Sequence, residues 1–297
     1  MGKIKRLISL ISTIIIFGYL TYIIDWKILL SYSQNFNYIF LILGVSIFIF
    51  YPIIVAFRWK TILYYHSFSS EINECLQASF HSFSLNLFAP AKSGDFIKVL
   101  SMKNIENKSK LFSIIISERL GDLIVLSGLI VICNIFNFKL WEFYFGILML
   151  FSIFFVIFVS GYIKFKFKND KLLKIQETIF YGLDAWKSMP FKMVHVSSFS
   201  LINWMFGALQ VWLFFISLDI NISYFIVLSI FPITVLVSII PITPAGIGLR
   251  ETAFVVFFSN YANPETCILA GILYFISSTI LNSFLGSFYI KYLFKNE

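Results

Sequence analysis

The sequence predicts an all-α polytopic membrane protein: six full transmembrane helices plus two re-entrant or broken helical hairpins, arranged as an inverted repeat. Three observations carry that expectation. The 297 residues are 59% hydrophobic and only 13% charged, where soluble domains average about 25% charged. Several apolar runs reach the roughly 17–25 residues that a bilayer core requires. Two segments interrupt this character with proline, glycine and charge: Pro90-Ala-Lys-Ser-Gly-Asp95 and Pro241-Ile-Thr-Pro-Ala-Gly-Ile-Gly-Leu-Arg-Glu251. No hydrophilic stretch is long enough for a separate soluble domain. Residues 1–297 therefore read as a single membrane domain, with inverted halves at 1–140 and 141–297.

Lys3, Lys5 and Arg6 precede the apolar run Leu7 to Ile24. A basic start before an apolar core resembles a signal peptide. This run is long and lacks a nearby small-residue cleavage site, so an uncleaved first span is expected. Tyr38 to Phe57 is the second span, closed by Arg58-Trp59-Lys60 as an interfacial anchor of basic and aromatic residues. Cys75 to Ala89 is apolar but only 15 residues long, short for a crossing. It carries His81, Ser82, Ser84 and Asn86, stops at Pro90, and reads as one arm of a re-entrant hairpin.

Leu111 to Phe136 is the third span. Within it Glu118 and Asp122 are four apart and share a helix face, while Arg119 and Asp122 are three apart and can pair. Trp141 to Ile163 is the fourth span. Lys164 to Lys192 holds seven lysines. There Leu172, Ile175, Ile179, Leu183 and Trp186 recur at helical spacing, predicting an amphipathic helix on the membrane surface. Met193 to Leu218 is the fifth span, with Asn203 and Gln210 as polar insertions. Tyr224 to Phe258 is the second broken region, and Thr266 to Ile290 is the sixth span. Its Ser283 and Ser287 either suit close helix packing or are ordinary small residues.

Placing the N-terminus in the cytoplasm puts 19 of the 23 lysines and arginines on the cytoplasmic side, as the positive-inside rule requires. Six spans then bring both termini into the cytoplasm, across the cell (plasma) membrane. The same distribution makes the +8 net charge a topology signal and argues against nucleic acid as a partner. Parity makes the first break enter from the cytoplasm and the second from outside. The breaks share a pattern, Pro90-Ala91-x-x-Gly94 and Pro244-Ala245-x-x-Gly248. Interrupted helices in corresponding positions of an inverted repeat point to a transporter with a mid-membrane site.

The helix-break residues are Pro90, Gly94, Pro241, Pro244, Gly246 and Gly248. Proline removes a backbone donor and clashes with the preceding turn; glycine admits unusual dihedrals. Irregular backbone at membrane depth persists only where it is buried in protein or lines a wet cavity. Intramembrane polar and charged groups are functional candidates by default. The candidate substrate-binding residues are Asn86, Lys92, Asp95, Glu118, Arg119, Asp122, Arg250 and Glu251, with Lys98 either among them or reaching to interfacial water. Two readings stand side by side. In one, these groups form ion pairs that lock the broken helices. In the other, the cations bind an anionic head group, since arginine's planar fork suits phosphate, and the acids orient them.

No catalytic residue, metal site or cofactor is expected. His66, His81 and His195 form no metal motif, and Cys75, Cys133 and Cys267 are isolated packing residues. There is no His-Glu-x-x-His, no Gly-x-Ser-x-Gly elbow and no P-loop. The chain is therefore not expected to be an enzyme. Without an ATP site, transport would be passive, ion-coupled or driven by a partner.

At four motifs the chain resembles the lysylphosphatidylglycerol synthase transmembrane-domain family, also called flippase-like. They are Arg58-Trp59, Asn86-x-x-x-Pro90-x-x-x-Gly94-Asp95-x-x-Lys98, Glu118-Arg119-x-x-Asp122 and Pro244-Ala-Gly-Ile-Gly-Leu-Arg-Glu251, and the resemblance covers most of the chain. Lys98 stands where the family often has arginine, and Ala245 where glycine is common. The resemblance implies movement of an anionic, aminoacylated or glycosylated lipid between leaflets. Larger relatives join this domain to a soluble aminoacyl-transferase, which this sequence does not contain, so lipid aminoacylation is not implied. The alternatives are a subunit of a lipid or glycolipid biosynthetic enzyme and a non-catalytic membrane scaffold for such an enzyme.

Overall fold

The computed structural model describes residues 36–294 apart from 88, 103, 138–139, 161, 163–168 and 241. The predicted first span, Leu7 to Ile24, lies outside these residues, as do Pro241 and the side chains of Pro90, Lys92 and Pro244. Every regular element among the described residues is helical.

Helix α1 (Tyr38–Ser46) passes through a 3-10 turn at Ile47–Ile49 into α2 (Phe50–Tyr65). Together they form a 28-residue rod, about 42 Å long at 1.5 Å per residue. Helix α3 (Ile72–Asn86) ends at the first break, a 3-10 segment at Pro90–Phe96, followed by the short α4 (Ile97–Ser101). Then come α5 (Lys108–Asn137), α6 (Leu140–Val159), α7 (Asp170–Ser188), α8 (Pro190–Ser217) and α9 (Tyr224–Ile239). The second break, Pro244–Gly246, leads into α10 (Leu249–Phe258). Helix α11 (Pro264–Phe275) runs through a π-helical turn at Ile276–Leu281 into α12 (Asn282–Phe294).

Four stretches are long and apolar enough to cross a membrane: Tyr38–Tyr65, Leu140–Val159, Pro190–Ser217 and Pro264–Tyr289. They coincide with the predicted second, fourth, fifth and sixth spans. Helix α5, at the predicted third span, has 30 residues but carries Glu118, Arg119 and Asp122 in its middle. Helix α9 is apolar and shorter, at 16 residues.

Two large apolar cores and two smaller ones hold the bundle among the described residues. The first large core gathers Phe214, Phe215, Phe231, Phe254 and Phe258 from α8, α9 and α10. The second gathers Trp59, Ile62, Leu111 and Ile114 from α2 and α5. Helix α8 joins them, contributing Met193 and Val196 to the second and Trp204 to Phe215 to the first. Lipid tails are as apolar as these side chains, so close packing rather than water exclusion is what the interfaces contribute. The amphipathic stripe of α7 divides. Leu183 is buried and the Trp186 indole donates to the Ser117 carbonyl at 3.1 Å, while Leu172, Ile175 and Ile179 stay exposed.

Helices α3 and α12 pack closely along each other. Ser283 donates to the Ser84 carbonyl at 3.2 Å, Phe80 stacks on Tyr289, and His81 Nε2 donates to the Tyr289 carbonyl at 2.9 Å. Ser287, the other serine of the predicted pair, is exposed and bonds within its own helix to the Phe284 carbonyl. The residue that sets the approach is Gly286, where a Cβ would run into the Phe80 carbonyl and the Ser84 hydroxyl. Because the obstruction includes backbone, Gly286→Val is expected to destabilise by about 1–3 kcal/mol. Thermal unfolding in detergent measures this, with Ser287→Val as a control that should stay near wild type.

Candidate functional site

The first break is shaped by Gly94. A Cβ there would sit 2.6 Å from the Asn86 nitrogen and 2.7 Å from its Oδ1. Only glycine lets the chain fold back this closely over the end of α3. That fold brings Asp95 against α3, where Ser82 donates to its carboxylate and Asn86 Nδ2 donates to Oδ1 at 2.8 Å.

The second break turns through Ala245, Gly246 and Gly248, with φ of 51°, 71° and 83°. An L-residue in the left-handed region carries a steric cost of roughly 1–2 kcal/mol. Ala245→Gly is therefore expected to stabilise the protein by about 1 kcal/mol, read as a rise in unfolding midpoint. After the turn, Glu251 Oε2 accepts the Gly248 N–H at 2.6 Å. The carboxylate caps the N-terminus of its own helix, where negative charge is favoured. The two breaks pack against each other, and α9 packs against both.

Beside them lies a buried ion network. The Arg58 fork reaches both acids on one face of α5. Nε donates to Glu118 Oε1 at 2.7 Å and Nη1 to Asp122 Oδ1 at 2.6 Å, with Ser200 of α8 as a further acceptor at 2.8 Å. Lys98 of α4 donates to both Glu118 oxygens at 3.1 and 3.0 Å, and lies over the Trp59 ring. Arg119 pairs with Asp122 at 2.9 Å and also with Asp95. Trp204 donates to Asp122 at 3.3 Å.

Two expectations are corrected here. Arg58 and Trp59 are not an interfacial anchor: they are 3% and 0% exposed, because the acids of α5 draw the guanidinium into the bundle. Lys98 does not reach for water; it is 0% exposed and held by Glu118. Both residues leave the cytoplasmic charge tally, which keeps 17 of the original 19.

Arg58, Asp95, Arg119 and Asp122 of the network line a cavity of about 110 Å³ together with Arg250 and Ala245 of the second break. Asn86, Asp95, Arg119, Asp122 and Arg250, five of the predicted binding residues, line it. Glu118 stands behind the wall, holding Arg58 and Lys98. Glu251 is taken up by its helix cap. Sequence reasoning did not assign Arg58, Tyr51, Asn203, Trp204, Ser278 or Thr279 to this site, yet all line the cavity. Arg58 carried no local signal, because the acids that bury it lie on α5. Ser278 and Thr279 carried none, because the π-helical turn that presents them has no sequence signature.

Arg250 differs from the other cations. Nη2 donates to the Ala245 carbonyl at 3.0 Å, and the guanidinium lies over the rings of Tyr274 and Phe275 at 5.6 and 5.1 Å. Nη1 is buried and has no hydrogen-bond partner among the described residues. A buried charged donor without a partner is costly, and one facing a cavity is suited to a ligand anion.

Residues 7–286 match the sequence profile described as the lysylphosphatidylglycerol synthase TM region. The chain belongs to the lysylphosphatidylglycerol synthase TM-region family. Among its relatives, a UPF0104 membrane protein of Methanocaldococcus jannaschii is 24% identical over 91% of this chain and 90% of its own length. A second UPF0104 membrane protein of the same organism is 28% identical over 58% of this chain and 77% of its own length. Membership in the lysylphosphatidylglycerol synthase TM-region family agrees with the all-helical architecture and with several helices long and apolar enough to cross a membrane.

Proposed function

We propose that this family member moves an anionic lipid headgroup between membrane leaflets through the cavity where its two helix breaks meet, without catalysing a reaction. Arg250 is the observation that supports the reading. It is a buried cation with an unpartnered donor, beside a break, lining a cavity of mixed polar and apolar character. A guanidinium suits a phosphate oxygen. Discontinuous helices converging on one point are how membrane transporters build a site without unsatisfied backbone. The proposal includes the inverted arrangement of the two halves, cytoplasmic termini in the cell membrane, and membrane lipid as the partner. The Arg58–Glu118–Lys98 ion pairs favour a second reading for that part alone, a rigid lock between α2, α4 and α5.

Purified protein in vesicles carrying a labelled phosphatidylglycerol in both leaflets tests this. A membrane-impermeant quencher is expected to extinguish about half the label in protein-free vesicles and nearly all of it in proteoliposomes. Equal extinction in the two would remove the transport reading. An altered lipid recovered from the proteoliposomes would replace it with an enzymatic one.

A further inference from the structure

We propose that α6 carries the contact face of a homodimer: a second copy of this chain lays its own α6 alongside, in parallel, through a seam of large side chains. The inference stands apart from the transport reading, since no seam residue lines the cavity.

Spacing supplies the first argument. Trp141, Tyr144, Leu148, Phe151, Phe155 and Phe158 follow one another at steps of three, four, three, four and three residues. That is the a and d repeat by which one helix meets another along a narrow seam. The buried side of α6 is already used: Gly146 fits against Ile130 and Val131 of α5, and Ile153 and Ile157 pack with Leu183 of α7. At about 100° per residue the seam lies on the opposite side of the helix. Its six residues are 55% to 67% exposed, and α6 is the most exposed of the four candidate spans. The seam runs about 27 Å along the axis, close to the roughly 30 Å of a bilayer core.

Side-chain chemistry supplies the second. Contact with lipid tails asks only for apolar character, which leucine or valine meets as well as a ring. Five of the six seam residues are aromatic, against 20% of the whole chain. Anchoring at the membrane surface accounts for rings near the ends of a span, but not for Phe151 and Phe155 in the middle. Between helices in lipid, packing rather than water exclusion drives association, and aromatic pairs add a preference for offset or edge-to-face contact. A two-fold axis along the seam sets each residue beside its own counterpart, so ring meets ring at five of six levels. Phe151 and Phe155 already stack along the helix, with ring centroids 6.3 Å apart. No charge lies on the seam, so two copies meet without repulsion. The outer face of α1 and α2 has the same spacing at Leu43, Ser46, Phe50, Ile53, Phe57 and Lys60, but a hydroxyl and an ammonium interrupt it. At about 150–250 Å² per aromatic side chain, the open part of the seam offers on the order of 500 Å² per copy. The pair would bury about 1,000 Å², the threshold for a specific interface.

Cysteine scanning of the reconstituted protein tests this, with the buried Cys75, Cys133 and Cys267 left in place. Under oxidation, Leu148→Cys, Phe151→Cys and Phe155→Cys are expected to crosslink two copies at least tenfold faster than Phe154→Cys and Val156→Cys, which are exposed on either side of the seam. Energy transfer between donor- and acceptor-labelled chains, followed as vesicles are diluted with lipid, reads the affinity. Replacing both Phe151 and Phe155 by leucine keeps the face apolar and removes two rings. That variant is expected to self-associate at least tenfold more weakly with an unchanged unfolding midpoint; unchanged association overturns the ring-on-ring seam. A flat crosslinking profile, crosslinks centred on Phe50→Cys and Phe57→Cys of α2 instead, or a monomer at every protein density overturns the dimer. A disulfide within one chain between Phe151→Cys and Ile15→Cys also overturns it, by giving the face to the chain's own first apolar run.

Discussion

Arg58→Met is expected to destabilise the protein by about 3–5 kcal/mol, the cost of removing one partner from a buried ion pair. The thioether fills much of the same space but takes from Asp122 and from Glu118 one of the cations that each is paired with. It also removes one of the hydrogen bonds that tie α2 to α8, the Arg58 donation to the Ser200 hydroxyl. Both acids are almost fully buried, so water does not replace the lost guanidinium. The readouts are the unfolding midpoint in detergent and the fraction eluting as a single folded species. Arg58→Lys should fall between wild type and Arg58→Met, because an ammonium keeps the charge but cannot fork to two acids. Adding Glu118→Gln and Asp122→Asn to Arg58→Met should recover part of the loss, since neutral amides no longer need a counter-charge. An Arg58→Met protein as stable as wild type would show that the network is not what locks α2 to α5.

Arg250→Gln is expected to give the opposite signature: translocation of an anionic phosphodiester lipid at least tenfold slower, with stability nearly kept. Arg250 forms no ion pair among the described residues, and glutamine can still donate to the Ala245 carbonyl. What disappears is the unpartnered charge. A tenfold effect corresponds to about 1.4 kcal/mol of lost interaction, modest for a charge-assisted hydrogen bond in a buried site. Vesicle assays at matched protein density measure it. An unchanged rate would take Arg250 out of the transport site whatever happens to Arg58.

The contrast between these arginines marks where the sequence was readable. Broken apolar runs made both helix interruptions legible, because proline and glycine act through local backbone sterics. The i,i+3 pairing of Arg119 with Asp122 was legible for the same reason. Arg58 was misread because its environment is tertiary. Next to Trp59 and Lys60 it looks like an interfacial residue, and only the acids of α5, sixty residues on, make it a buried one. Glu251 was expected among the substrate-binding residues, and the structure shows its carboxylate capping α10. That role depends on Gly248 at N-cap, visible only once the second break has a conformation. Gly286 was passed over for the flanking serines because closeness between α3 and α12 is a property of the pair.

The π-helical turn at Ile276–Leu281 bears on how this chain tolerates insertion and deletion. A π turn holds one residue more than an α-helical turn and absorbs it locally, so the flanking helices keep their phase. Deleting one residue from the turn would leave Tyr274 facing Phe231 upstream and Gly286 facing α3 downstream. It would also draw Ser278 and Thr279 back from the cavity. A deletion one turn later, beyond Leu281, would instead rotate Gly286 by about 100° and part α12 from α3. Within this one rod, the position of a single-residue deletion decides whether the bundle or the cavity is lost.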